Sequence, residues 1–137
     1  MFEKPFEMIK LETHSDARGS LFEFLLFKDQ EIPGEGHIYC LTIQPGTRRG
    51  DHYHEHKREW FTCVSGEVVV LVEEKSGTKH KVVLSAERPA VLYFAPFTAH
   101  TILNVTSETA VMVSYGSKQY DPNNPDNIRK VIQYDGV

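Results

Sequence analysis

The sequence predicts an all-β fold: a single domain of short antiparallel strands closed into a barrel. Three observations carry that expectation. Runs of β-branched and aromatic residues recur, such as His37-Ile38-Tyr39-Cys40-Leu41-Thr42-Ile43 and Val68-Val69-Val70-Leu71-Val72, each bounded by Gly, Pro, Asn or Asp. Between them no stretch holds the helical apolar spacing for ten residues, so the strands lack crossover helices and an α/β fold is excluded. The 137 residues, 40% hydrophobic and 25% charged, suit one domain with a core that needs no disulfide.

Taken in order, residues 6–11 are spaced either as a first strand or as an arm packing on a neighbouring subunit, and 1–15 is read as that N-terminal arm. Asp16-Ala17-Arg18-Gly19 signals a turn, and 20–27 reads as a strand buried on most of both faces. Pro33-Gly34-Glu35-Gly36 leads into the strand 37–43, which Pro45-Gly46 ends. Strands are expected at 59–64 and 67–73, paired as a hairpin through Ser65-Gly66, and at 79–84 with one exposed face. Residues 90–95 form a strand stopped by Pro96; 100–105 and 110–115 follow. Pro122-Asn123-Asn124-Pro125-Asp126 cannot continue a sheet. Residues 117–137 are therefore a tail, with 128–134 returning along an edge.

Charge narrows the partners. Fifteen Lys+Arg against 19 Asp+Glu give a net charge of -4, which argues against nucleic acid but leaves local arginines free to hold a phosphate-bearing small molecule. No basic and apolar leader opens the sequence, and no run approaches the roughly 18 apolar residues of a membrane span. A cytoplasmic protein with no membrane partner is expected. Cys40 and Cys63 lie in apolar runs and read as buried reduced thiols. Apolar edge strands and the N-terminal arm need cover, so a homodimer is expected.

Residues 46–66 hold the densest chemistry. His52 and His54 project from one face of an extended chain, because strand side chains repeat every second residue. Two imidazoles side by side point to a metal. Glu59 lies five residues after His54, an odd step that faces away on an unbroken strand, so a turn within 55–58 is required if Glu59 is to join them. On a straight strand His56 takes its place.

Gly46, His52, His54, Glu59 and Gly66 reproduce G-x5-H-x-H-x3,4-E-x6-G, the first motif of the cupin family, at every fixed position. The second motif, G-x5-P-x-G-x2-H-x3-N, is met by Pro96, His100 and Asn104; Ala90 and Thr98 replace its glycines, and the step from Pro to His is one residue short. The chain therefore resembles cupins, which implies a small jelly-roll barrel with a divalent metal at His52, His54, Glu59 and His100. Histidine nitrogen with carboxylate oxygen suits borderline ions such as Zn²⁺, Fe²⁺, Mn²⁺ or Ni²⁺. The bland alternatives are a surface strand with accidental histidines, or a barrel that keeps the ligands' geometry but binds no metal.

Asp16-Ala17-Arg18-Gly19-Ser20-Leu21-Phe22-Glu23-Phe24, Arg49-Gly50-Asp51-His52-Tyr53-His54 and Tyr120-Asp121-Pro122-Asn123-Asn124-Pro125-Asp126 are similar to a narrower group, the C-terminal cupin domain of capsular-polysaccharide UDP-sugar reductases. That resemblance implies zinc and C3 epimerisation of a UDP-4-keto-6-deoxy-hexosamine. The Arg-Gly-x-His segment also resembles dTDP-4-keto-6-deoxyglucose 3,5-epimerases and 3,4-ketoisomerases. The sequence has no counterpart of the reductase domain, so a stand-alone chain is expected to pass its product to a separate reductase or transferase.

Epimerisation beside a ketone needs a base, an oxyanion stabiliser and an acid. A metal at the four ligands is expected to polarise the ketone, leaving His56, Tyr53, Lys57 or Tyr115 to carry protons and Tyr115 to touch the substrate. Without a metal, His52 or His54 is the base. Arg18, Arg48 and Arg49 are candidates for the diphosphate, because guanidinium meets phosphate bidentately. Trp60 and Phe61 open a core strand, and at least one of them packs rather than stacking on a base. Two rival functions share these residues: an iron dioxygenase, which needs an O₂ site, and a sugar-binding module without turnover.

Overall fold

In the computed structural model, residues 4–17, 19–22, 24–27, 29–32, 34–119 and 121–135 are described. Among them the chain forms twelve strands and no helix: β1 (Phe6–Lys10), β2 (His14–Asp16), β3 (Gly19–Leu21), β4 (His37–Ile43), β5 (Arg48–Tyr53), β6 (Glu59–Ser65), β7 (Glu67–Glu73), β8 (Lys79–Ser85), β9 (Ala90–Phe94), β10 (Ala99–Leu103), β11 (Ala110–Gly116) and β12 (Ile128–Arg129). Two five-stranded sheets, ordered β1-β9-β6-β11-β4 and β12-β5-β10-β7-β8, face each other as a jelly roll, and β2-β3 stands apart as a hairpin. No helix is long and apolar enough to cross a membrane among the described residues.

The burial of each strand follows its position. Strands β6 and β7 lie inside their sheets and are buried on both faces for five residues each, which is why their sequences do not alternate. β4 and β8 are edge strands and do alternate, β4 exposing Ile38, Cys40 and Thr42 while turning Tyr39 and Leu41 inward. Phe61, Val70, Leu84, Leu92, Phe94 and Met112 join across the two sheets in the main core. Each such side chain contributes about 1.5–3 kcal/mol on full burial. A second cluster, Trp60, Tyr93 and Tyr115, lies on the outer face of the first sheet under Phe24, Leu25 and Ile32.

Several expectations change. β6 and β7 are not a hairpin: β6 pairs with β9 and β11, and β7 with β10 and β8. The Ser65-Gly66 turn carries the chain from one sheet to the other, because two strands this apolar each need a partner on both sides. Gly66 takes φ 83°, and a Cβ there would meet the Ala110 backbone at 3.2 Å. The run 20–27 yields only the end of β3; Phe24 and Leu25 instead pack as coil over the second cluster. The tail pairs along β5 only at Ile128 and Arg129, while Ile132 is buried beside Val69, Leu71 and Ala99. Cys40 is exposed, Cys63 is buried, and both are free thiols. The turn expected at 16–19 joins β2 to β3, and residues 6–10 pair with β9 of their own chain.

Candidate metal centre and cavity

The two sheets each supply part of one site, and register shows how. Across the first sheet Phe94, Glu59, Gly116 and His37 lie in one row, and Leu92, Phe61, Ser114 and Tyr39 in the row two residues along. Across the second, His52 pairs with His100 and Arg49 with Ile102. Arg49 and His52 are three apart and would face opposite ways on a regular strand. Between them Gly50 pairs with Thr101, and Asp51 is the extra residue of a β-bulge. The bulge switches the inward parity from odd to even, and both Arg49 and His52 line the interior. Gly50 takes φ 109° and Asp51 φ 56°. A Cβ at Gly50 would stand 2.8 Å from the His100 carbonyl oxygen, so the bulge needs glycine there.

The chain then leaves the second sheet and enters the first through residues 54–58, the turn that the odd spacing required. Ligand atoms of His52, His54, Glu59 and His100 all come within 4.8 Å of one another. His54, Glu59 and His100 are buried to 4%, 2% and 2% exposure, leaving His52 as the accessible member. His54 Nε2 lies 2.9 Å from Glu59 Oε1. His100 Nε2 is 3.2 Å from the same oxygen, an ion-pair distance without good hydrogen-bond geometry. The His100 ring stacks on Phe94 with centroids 4.2 Å apart.

The outer nitrogens fix the tautomers. His54 Nδ1 donates to the Asp126 carbonyl and His100 Nδ1 to the Thr98 carbonyl at 3.2 Å, since a carbonyl only accepts. In a neutral ring each Nε2 then turns a lone pair toward the Glu59 carboxylate, an approach that only a proton or a cation between them makes favourable. Burial would raise the Glu59 carboxyl, but hydrogen bonds and positive charge from His100 and His54, when those rings carry the proton, hold it well below the usual carboxylate range. Burial, then the neighbouring His100 and His54, push His52 down to about 4, so it too offers a lone pair at neutral pH. Three imidazoles converging on one buried carboxylate need a proton or a cation among them, which makes the cluster a candidate cation site. An ion roughly 2.0–2.2 Å from each donor requires only a small contraction, and histidines oriented by main-chain carbonyls are typical of ligands.

A family model for the polysaccharide biosynthesis C-terminal domain matches residues 14–128. The chain belongs to that family. A UDP-2-acetamido-2,6-beta-L-arabino-hexul-4-ose reductase of Pseudomonas aeruginosa is 29% identical over 114 residues, which are 82% of this chain and 29% of the relative. The capsular polysaccharide assembling protein CapF of Staphylococcus aureus is 26% identical with a TM-score of 0.70, over 89% of this chain and 34% of that one. The chain thus spans about a third of the length of both. QdtA, a sugar 3,4-ketoisomerase of Thermoanaerobacterium thermosaccharolyticum solved with TDP, shares the fold at 23% identity and a TM-score of 0.77, over 95% of this chain and 90% of that one.

In this member of the polysaccharide biosynthesis C-terminal domain family the cluster floors a cavity of about 250 Å³ that His37, Tyr39, Arg49, Lys57, Phe61 and Asn127 also line. Lys57 reaches in beside Gly116, where a Cβ would stand 3.2 Å from the lysine stem, and its Nζ lies 3.6 Å from Glu59 Oε2. Several sequence candidates lie elsewhere. His56 is exposed on the outside of the turn, and Tyr53 packs toward Phe97 on the outer face, both because the chain reverses at His54. Arg48, on the opposite side of β5 from Arg49, is held by Asp51 at 2.9 and 2.7 Å and donates to the Ile132 carbonyl. Tyr115 is buried under the outer cluster, its hydroxyl accepting the Gly36 N–H at 3.1 Å. Arg18 lies outside the described residues. Trp60 is packing, buried with Tyr93 and Tyr115, whereas Phe61 touches the His100 ring with centroids 5.8 Å apart.

Sequence reasoning missed four groups. Tyr39 donates its hydroxyl to Glu59 Oε2, and burial followed by the Glu59 charge raises its own titration far above the usual value. His37 sits next along β4 on the same face, with Nδ1 buried and without a hydrogen-bond partner; burial and then Lys57 lower its titration. The alternation of β4 was the available clue, for His37 and Tyr39 share the face of core Leu41. Asp126 and Asn127 arrive from the tail, which spacing alone cannot place. In the second motif the left-handed residue is Phe97, at φ 65°, rather than Thr98. The Phe97 N–H donates to the His54 carbonyl at 2.6 Å, which ties this turn to the end of β5.

Proposed function

We propose that this domain is a nucleotide-sugar epimerase or isomerase of surface-polysaccharide synthesis, acting beside the ketone of a UDP- or dTDP-4-keto-6-deoxy sugar. The carrying observation is the convergence, in one cavity, of a cation-binding donor set with His37, Lys57 and Arg49. At about 250 Å³ the cavity is below the roughly 300–1,000 Å³ of most ligand pockets. It therefore takes the sugar ring, with the nucleotide extending over the mouth. Membership of a polysaccharide family and the names of the relatives support the same substrate class.

The reaction class is proton transfer at carbon. The C–H bond next to the ketone breaks, its proton passes to a cavity base, and the electron pair moves onto the carbonyl oxygen; a proton returned to the other face completes epimerisation with no net change in atoms or electrons. Zinc, or another borderline divalent ion, held by His52, His54, Glu59 and His100 would supply Lewis-acid polarisation of the ketone. His37, kept neutral by burial and the Lys57 charge, accepts a proton, and the Lys57 ammonium faces the developing negative charge. Tyr39 holds Glu59 in place, and Arg49 meets the phosphates. The edge of β4, unpaired among the described residues and exposing Ile38 and Cys40, supports assembly as a homodimer.

Incubating the protein in D₂O with UDP- and dTDP-4-keto-6-deoxy sugars tests the reading. Deuterium is expected at C3 or C5, seen by mass spectrometry and NMR. Absence of exchange with every such sugar, by protein loaded with Zn²⁺, Mn²⁺, Fe²⁺ or Ni²⁺, overturns it.

A further inference from the structure

We infer that Asp126 is a positioning residue that builds the cation site from the C-terminal tail, so that docking of the tail and occupancy by metal are coupled. The inference rests on the metal-site reading above and concerns what makes that site. Asp126 Oδ1 accepts the Glu55 N–H at 2.7 Å, and Oδ2 accepts those of His56 and Lys57 at 2.9 and 3.1 Å. Three successive amides turned toward one anion form a concave nest, here closed by a carboxylate of the same chain. These amides make the reversal between β5 and β6 that turns Glu59 toward the histidines. The carbonyl of the same residue accepts the His54 Nδ1 proton and so aims Nε2 at Glu59. A single residue thereby sets the relative orientation of two ligands five positions apart.

Apolar burial does not hold this part of the tail. Residues 121–125 are all exposed, and the segment is shaped by its own polar turn, in which Asp121 accepts the Asn123 N–H at 2.9 Å and its carbonyl the Asn124 N–H at 3.1 Å. Beyond Asp126 the tail is zipped to the ligand strand by the pairing of Ile128 with Tyr53 and Arg129 with His52, and by the Lys130 N–H on the Asp51 carbonyl at 2.7 Å. An ion that draws His54 and Glu59 together stiffens the turn that Asp126 grips. By reciprocity the grip strengthens binding of the ion to the same degree.

The test titrates the whole chain with Co²⁺, followed by its absorption bands and by Zn²⁺ competition, in wild type, Asp126→Asn and Asp126→Ala. Amide hydrogen exchange at residues 55–57 is measured with and without Zn²⁺. Thr106→Ala serves as a control that removes hydrogen bonds in a loop remote from the cavity. Both Asp126 variants are expected to bind Co²⁺ about 10–100-fold more weakly, the usual cost of losing a ligand's support, with altered bands. Zn²⁺ is expected to slow exchange at 55–57 in wild type only, and Thr106→Ala to keep wild-type affinity. Wild-type affinity and bands in Asp126→Asn and Asp126→Ala overturn the inference. A wild type that takes up neither Co²⁺ nor Zn²⁺ sinks the metal-site reading itself, and this inference with it. If Asp126→Ala fails to fold, Asp126→Asn with its exchange data decides.

Discussion

Glu59 and His52 meet in one cavity, yet the strands that carry them are held by different means. β6 runs between β9 and β11 with its first five residues buried, so Glu59 is fixed by two ladders and a packed core. β5 runs between β10 and the two-residue β12, and its first three residues are exposed. His52 is aimed by a bulge, a glycine and the tail. One wall of the site is set by apolar packing and the other by backbone conformation and polar ties. Substitutions on the first wall should therefore remove chemistry and spare the fold, whereas those on the second should cost the fold as well.

The largest effect is expected from Glu59→Gln. The Tyr39 hydroxyl keeps an acceptor, and the two ladders and core around β6 are expected to keep the metal-free protein folded, at the cost of leaving the Lys57 charge without its buried anion. Metal affinity should fall by more than the roughly 10–100-fold that loss of a supporting residue costs. Denaturant melts and Zn²⁺ titration separate the two quantities. A variant that unfolds breaks the comparison, because Glu59 would then be holding its strand rather than being held.

Gly50→Ala probes the other wall. Its Cβ would meet the His100 carbonyl oxygen at 2.8 Å and the Thr101 Cα at 3.2 Å, both backbone atoms, at a φ of 109°. Strain and overpacking together should cost about 2–4 kcal/mol in denaturant unfolding and displace His52 enough to weaken Zn²⁺ binding. Unchanged stability would mean that the bulge relaxes freely and that β5 is not held by backbone conformation.

The same contrast governs what the sequence reveals. The spacing of His52, His54 and Glu59 is local chemistry, and the odd step to Glu59 demands the turn that the fold contains, so the clustering of these residues and the reversal between them are legible. The strands are legible too, as periodic apolar runs. Their partners are not: the Ser65-Gly66 turn looks the same whether it joins neighbours in one sheet or opposing sheets. A bulge is also invisible to alternation, so Arg48 looks as well placed for a phosphate as Arg49 until the extra residue at Asp51 is seen. His37 and Tyr39 enter because β4 is the neighbour of β11, a non-local fact. The Asp-Pro-Asn-Asn-Pro-Asp block stands out as a motif, but only the fold shows that its last residue grips a turn some seventy residues earlier.

The smallest effect sharpens the polar side of the comparison by pH. Burial would raise the Asp51 carboxyl, but Arg48 and the Ile132 N–H, donating at 3.1 Å, hold it below the usual carboxylate value. A group whose folded value is depressed contributes stability above its unfolded value, about 3.9, and loses that contribution as pH falls through the folded one. Asp51→Asn should therefore be less stable than wild type by about 1–2 kcal/mol at neutral pH, with the gap narrowing below about pH 4. Thermal melts of both proteins from pH 7 to pH 3 measure the gap. A gap that stays constant across that range would show that the bulge is held by shape alone, and that the carboxylate between Arg48 and the tail adds no charge-dependent tie.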